Sequence, residues 1–283
     1  MRYKGKLVII GGAEDKGISK DESPDFKIDG ILERIVQESS KKKKSRVEIV
    51  TTASQVPEQI GNDYIKAFGK LGVDNVHVLN LEHREHSREQ KFIKAIQNAD
   101  VVFFTGGDQL RLTSLLGGSP VLDTIREKLV KEHFIYAGTS AGAAAASDAM
   151  IFEGNSTDAL LKGEIRISSG FGLVENVVFD THFINRGRIG RLFQAVVSNP
   201  KLLGIGLEEN TGLLFTGNKM EAIGPGMTIL IDGRHIRNSN LLEIKDGVPI
   251  SIDNLTLHVM SKTDVYDLEK HELTIVTPED CRI

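Results

Sequence analysis

The sequence predicts an α/β fold: a doubly wound, mostly parallel sheet flanked by helices, with extra antiparallel strands at the C-terminal end. Three observations predict it. Short apolar runs without in/out alternation recur through the first 140 residues, as in parallel strands covered on both faces. Between them, apolar residues stand three and four apart, the spacing of amphipathic helices. After about residue 205 this alternation gives way to short strands and turns.

In chain order, LVII (7–10) is the first strand and IDGILERIVQESS (28–40) the first helix. VEIV (47–50) is followed by IGNDYIKAFGKLG (60–72), NVHVLNL (75–81) by REQKFIKAIQNA (88–99), and DVVFFTGG (100–107) by SPVLDTIREKLVK (119–131). HFIYAGTSAG (133–142) supplies the next buried strand. Strands alternating with helices give βαβ units in one parallel sheet. The tail segments TGLLFTG, AIGPGMTILIDG, NLLEIKDG and LTLHVMS are expected to add antiparallel strands to the same body. No linker, internal repeat or low-complexity tract interrupts the chain. A single domain over 1–283 is therefore expected, with a core of 1–216 and a β-rich extension of 217–283.

Composition narrows the function classes. Hydrophobic residues at 40% and charged residues at 26% suit a globular chain that buries a sizeable core. With 35 basic against 39 acidic residues the net charge is -4, so no global positive field exists to hold a nucleic acid, and none is expected as partner. The one cysteine, Cys281, excludes an intrachain disulfide and a cysteine-based zinc site. The apolar run before Gly11 is too short for a signal-peptide core, and no stretch of about 18 apolar residues offers a membrane span. A cytoplasmic protein without membrane contact is expected. KKKK at 41–44 reads as a solvated helix end, and the two histidines of HREH at 83–86 lack further ligands at metal-binding spacing, so no metal is expected. Gly11-Gly12-Ala13-Glu14-Asp15 follows the first strand without the G-x-G-x-x-G pattern of a dinucleotide site, and no cofactor is expected.

The chemistry centres on Gly138-Thr139-Ser140-Ala141-Gly142, between the strand FIYA and the helix-forming run AAAAS. A serine at the middle of G-x-S-x-G in a strand–turn–helix context is a nucleophile elbow, which lifts the hydroxyl into a cleft at the C-terminal end of the strand. Serine becomes a useful nucleophile only when a base takes its proton and an acid orients that base. His182, in VVFDTHFINRGRIGRL directly after an apolar strand, is the candidate base. GIGLEENTG (204–212) offers Glu208, Glu209 and Asn210 for the third position. The glycines of FFTGGDQ (103–109) let backbone N–H groups face a ligand, so Gly107 with the N–H of Ala141 makes a candidate oxyanion hole. Arg186, Arg188 and Arg191 follow His182 within nine residues and suggest an anionic substrate group.

Taken in order, GGAEDK, FTGGDQ, GTSAGA, DTHFINRGRIGRL and GIGLEENT resemble the cyanophycinase family, serine-type exopeptidases related to α-aspartyl dipeptidase and to the class I glutamine amidotransferase fold. The resemblance spans residues 7 to about 216. It implies Ser140 as nucleophile, His182 as base and Glu209 as the acid, with Gln109, Arg186, Arg188 and Arg191 in the substrate-binding set. Thr181 stands where the family often has glutamine, which puts substrate preference in question at that position. The implied substrate is cyanophycin, a polyaspartate carrying arginine on its side-chain carboxyls, cut to β-aspartyl-arginine dipeptides. On that reading the arginines hold the free α-carboxylate, and Asp180 or Glu208 receives the substrate guanidinium. The resemblance also allows a homodimer. The rival readings are an α-aspartyl or isoaspartyl dipeptidase and a non-catalytic binding module on the same fold. A glutaminase is disfavoured because Ser140 occupies the place where those enzymes carry cysteine.

Overall fold

The computed structural model describes residues 3–17, 24–28 and 30–277; Cys281 lies outside them. Five parallel strands form one side of the first sheet: β1 (Lys6–Ile10), β2 (Val47–Val50), β3 (Val76–Leu79), β4 (Val101–Phe104) and β5 (Ile135–Thr139), in the spatial order β1-β5-β4-β2-β3 with β3 at the edge. Their residues alternate between two apolar layers. Val101 and Phe103 pack with Tyr64 and Phe68 on one face, while Val102 and Phe104 pack with Phe92, Ile96 and Leu112 on the other. Helices cover both faces: α1 (Ile31–Glu38) and α2 (Pro57–Lys70) on the first, α3 (Gln90–Asn98), α4 (Gln109–Leu116), α5 (Pro120–Lys131) and the short α6 (Ala141–Ala146) on the second. Burial on both faces explains why β1, β2, β4 and β5 read as apolar runs, whereas β3, expected to be buried, lies at the sheet edge and leaves His77 and Val78 exposed. Local signals set the helix starts: Asp108 accepts from the amides of Leu110 (2.8 Å) and Arg111 (3.2 Å), and Pro57 and Pro120 open α2 and α5.

The second half adds the hairpin β6 (Ala149–Gly154) and β7 (Ile165–Ser169), then β8 (Val177–Thr181), α7 (Ile189–Ser198), β9 (Leu203–Leu207), β10 (Gly212–Thr216), β11 (Lys219–Ile223), β12 (Thr228–Asp232), the two-residue pair β13 (Asn238–Ser239) and β14 (Ile252–Asp253), β15 (Thr256–Met260), β16 (Val265–Asp267) and β17 (Glu272–Thr274). The C-terminal strands divide between two sheets. β10, β11, β16 and β17 extend the first sheet antiparallel from β1, whereas β12 and β15 join β8 and β9 in a four-stranded second sheet. That sheet shares the core, since Phe179 meets Phe215 edge-on at 6.1 Å across the two sheets. Its other face packs Val178 and Ile231 against Leu192 and Val196 of α7. NLLEIKDG (240–247) forms no strand: Leu242 is 94% exposed, so its side chain gains no burial from pairing. The four lysines at 41–44 sit exposed in a 3-10 turn, where Lys41 pairs with Asp100 at 2.9 Å.

Strand direction assembles the site. Ile10 lies opposite both Thr139 and Gly212, so the ends of β1 and β5 meet the start of the antiparallel β10 at one edge. In the second sheet Thr181 lies opposite Leu207, so β8 and β9 release their chains side by side at the same edge. Ser140 and His182 are the first residues after β5 and β8, and Glu209 is the second after β9.

Candidate active site

Ser140 connects β5 to α6 with φ 50 and ψ -106, a left-handed conformation that costs a non-glycine residue energy and survives only where its surroundings fix it. Its amide donates to the Ile10 carbonyl at 3.0 Å. The flanking glycines are steric requirements. A Cβ on Gly138 would lie 2.5 Å from the Gly142 oxygen, and one on Gly142 would lie 2.5 Å from the Phe104 oxygen. The turn thus closes only with hydrogen at both places, and it carries the Ser140 hydroxyl to 3.0 Å from Nε2 of His182.

His182 directly follows β8, also left-handed at φ 52, with its amide donating to the Gly11 carbonyl at 2.9 Å. Its Nδ1 lies 2.5 Å from Oε1 of Glu209. A carboxylate only accepts, so Nδ1–H donates to Glu209 and Nε2 is left to accept the serine proton. Asn185 donates to the second oxygen of Glu209 at 2.6 Å. Of the three polar residues at 208–210, geometry selects one. Glu208 accepts from two backbone amides, those of Glu209 and Ile184 at 2.9 Å each, one on each carboxylate oxygen. Its role is to fix the turn that presents Glu209. Asn210 lies in the same turn, accepting from the amide of Asp15 at 3.0 Å.

The hydrogen bond from His182 holds the Glu209 carboxyl below its ordinary range, with Asn185 adding to the effect and desolvation opposing it. A lowered pKa means that the ionised form persists to lower pH, and its contribution is lost only as pH falls through the lowered value. Glu209 should therefore add no protonation of its own to the acid limb of kcat/KM, which should keep a slope of one. A limb with slope two would mean that Glu209 titrates in the same range.

Gly106 faces the serine, since a Cβ there would come within 3.3 Å of the Ser140 Cβ. Gly107 follows with φ 139, a backbone region open in practice to glycine. No acceptor for the amides of Gly107 or Ala141 is found among the described residues. Serine, imidazole and carboxylate in this order, with free N–H groups beside the serine, can carry out acyl transfer.

The basic cluster differs from the sequence expectation. Asp180 is 2% exposed and lies between two arginines. Arg188 Nη1 stands 3.1 Å from its Oδ1, and Arg191 Nη2 stands 3.2 Å from the same oxygen. Arg191 Nε approaches Oδ2 at 3.0 Å as an ion pair without hydrogen-bond alignment. Burial works against both charges, pushing Asp180 up and Arg188 down, while the ion pairs oppose it. Asp180 therefore does not receive a substrate guanidinium, and Arg191, 5% exposed and also bound to the Gly154 carbonyl at 3.2 Å, does not hold a substrate carboxylate. The physical reason is that each supplies the counter-charge the other needs in a buried place. Arg188 spends Nη1 on Asp180 and on the Thr181 carbonyl at 2.8 Å and keeps a partly exposed side chain. Thr181 itself is buried in β8 at 4% exposure. Gln109, at the start of α4, donates to the Ile151 carbonyl at 3.1 Å. Arg186 is exposed and near enough to Glu209 to help lower its pKa.

Asn185 carries no motif of its own in the sequence, and Gly11 and Gly12 hold His182 and Asn210 through their carbonyls. The available signal was a glycine pair directly after the first strand. No group of three or more His, Cys, Asp or Glu that could hold a metal occurs among the described residues, and no described helix is long and apolar enough to cross a membrane.

Comparison with known proteins gives a consistent result. Residues 18–223 match peptidase family S51. The chain is 33% identical over 266 residues to the cyanophycinase of Trichormus variabilis, covering 94% of this chain and 86% of that protein. It is 31% identical over 270 residues to the cyanophycinase of Geminocystis herdmanii, covering 95% and 96%. Among solved structures, a peptidase from an acI-B1 Actinobacterium superimposes with a TM-score of 0.63 at 19% identity, covering 92% of this chain and 98% of that one, a likeness of fold.

Proposed function

The chain belongs to peptidase family S51 and is a serine-type peptidase, and we propose on that premise that it is an exopeptidase hydrolysing cyanophycin to β-aspartyl-arginine dipeptides, with Ser140 as nucleophile. The observation that carries this reading is the continuous chain Ser140–His182–Glu209, at 3.0 and 2.5 Å, in a protein one-third identical to cyanophycinases over nearly its whole length. Ser140 attacks the scissile carbonyl while His182 Nε2 takes its proton. The amides of Gly107 and Ala141 receive the developing oxyanion. His182 then protonates the leaving amine, and the acyl-enzyme on Ser140 is released by a water that the same imidazole activates. Glu209 fixes the ring and favours the imidazolium as it forms. The strained strand–helix turn serves as the nucleophile elbow.

In substrate binding, the free α-carboxylate falls to Arg186, the exposed member of the arginine set, with the exposed part of Arg188 beside it and Gln109 at the rim. A hydrogen bond to a charged group is typically worth about 1.5–3 kcal/mol, so Arg186→Ala should lower kcat/KM by roughly 10-fold or more, with lysine restoring only part of it. An effect below about threefold would remove Arg186 from the carboxylate site. A homodimer, a cytoplasmic location and the single-domain organisation belong to the same proposal. Incubation with purified cyanophycin and chromatography of the products tests the whole: β-aspartyl-arginine should accumulate with the unmodified protein and not with Ser140→Ala. No dipeptide from cyanophycin together with cleavage of α-aspartyl dipeptides would overturn the substrate assignment and leave the peptidase.

A further inference from the structure

We propose that Glu14 is a positioning residue for the site, acting through the turn that follows β1 and not on the substrate; the proposal rests on the reading of Ser140, His182 and Glu209 given above. Three successive carbonyls of that turn each hold one catalytic segment. Ile10 accepts from the amide of Ser140 at 3.0 Å, Gly11 from His182 at 2.9 Å, and Gly12 from Asn210, the neighbour of Glu209, at 2.8 Å. All three donors are non-glycine residues at φ 50 to 52, a conformation each keeps only while its partner stays in place. Gly12 also touches the base directly: with φ 103, a Cβ there would stand 2.4 Å from Cε1 and 2.5 Å from Nε2 of the His182 ring. A small displacement of this turn therefore changes the distance between the imidazole and the serine hydroxyl.

Glu14 is what fixes the turn from below. Its carboxylate is buried, with the residue 3% exposed, and no substrate can reach it. It accepts from Thr139, the residue before Ser140, at 2.5 Å and from the hydroxyl of Tyr64 on α2, with the Lys16 ammonium at 3.3 Å. Burial pushes the Tyr64 hydroxyl far up, and the charge of Glu14 adds to it, so Tyr64 stays protonated and remains a donor. One carboxylate thus joins the turn, the end of β5 and α2. A capping or surface role would need only one of those partners, and none would have to reach the residue beside the nucleophile.

The test compares Glu14→Gln, Glu14→Asp and Tyr64→Phe by kcat and KM on cyanophycin and by the rate at which a small fluorophosphonate labels Ser140, a reaction that needs the hydroxyl and its base but no groove for the polymer. All are measured well below each variant's thermal midpoint. Misplacement of about 1 Å typically costs on the order of 100-fold. Glu14→Gln should lower kcat and labelling together by roughly 10- to 100-fold with KM within about twofold, Tyr64→Phe should fall between, and Glu14→Asp should restore part. A raised KM with unchanged labelling would place Glu14 in substrate binding, and a lowered melting temperature with unchanged kcat and labelling would make it purely structural; either result overturns the proposal. If Glu14→Gln does not fold, Tyr64→Phe carries the same comparison. Labelling that persists in Ser140→Ala would instead overturn the assignment of the nucleophile, and this proposal with it.

Discussion

Ser140→Ala should yield a folded protein that still binds substrate and turns it over at least about 10,000-fold more slowly than the parent. The size of the effect follows from what remains. Without the hydroxyl no acyl-enzyme can form, and the oxyanion donors and substrate binding alone leave only a modest acceleration over water. Folding should be spared, since Ser140 is fixed by its amide to Ile10 and by the glycines on either side, and the hydroxyl's described partner is the His182 ring. His182→Ala should cost nearly as much, and the double variant little more than either single one, because the two groups act as a unit. Glu209→Gln should be milder. Steady-state kinetics on the three single variants and the double variant checks this, and near-normal turnover in Ser140→Ala would remove the serine mechanism.

The second large effect is on stability. Asp180→Ala should destabilise the fold by about 3–5 kcal/mol, lowering the thermal midpoint by roughly 5–15 °C, because it leaves a buried cation without its partner. Arg191 is 5% exposed, and its remaining described partner is the Gly154 carbonyl. Neither end can turn to solvent without opening the packing of α7 on the second sheet. Activity should also fall in the folded fraction, since His182 lies two residues further along from Asp180. Arg186→Ala offers the contrast: its side chain is exposed, so its removal should appear in kcat/KM with the midpoint nearly unchanged. Calorimetry on the two variants separates these outcomes. A midpoint drop corresponding to less than about 1 kcal/mol in Asp180→Ala, accompanied by a raised KM, would return Asp180 to the substrate site.

What the sequence determined by itself is local. The apolar runs located β1 to β5 and the amphipathic spacing located α1, α2, α3 and α5, because period and burial are properties of a few neighbouring residues. The G-x-S-x-G turn was legible for the same reason: the collision that demands Gly138 arises within the strand-to-helix connection itself, although the one that demands Gly142 comes from Phe104 on β4. Other features depended on partners distant in sequence, and only the tertiary structure decided them. Glu208 and Glu209 are adjacent and chemically alike, and only the side-by-side exit of β8 and β9 turns one toward His182 and the other onto backbone amides. The three arginines looked equivalent as a cluster, yet burial of Asp180 removed Arg191 from the solvent and left Arg186 in it. The division of the C-terminal strands between two sheets, and the glycine turn after β1 that gathers Ser140, His182 and Asn210, arise from strand direction and pairing. Hydrophobic pattern does not encode these, because a backbone carbonyl or a buried counter-ion satisfies whichever segment the topology brings to it.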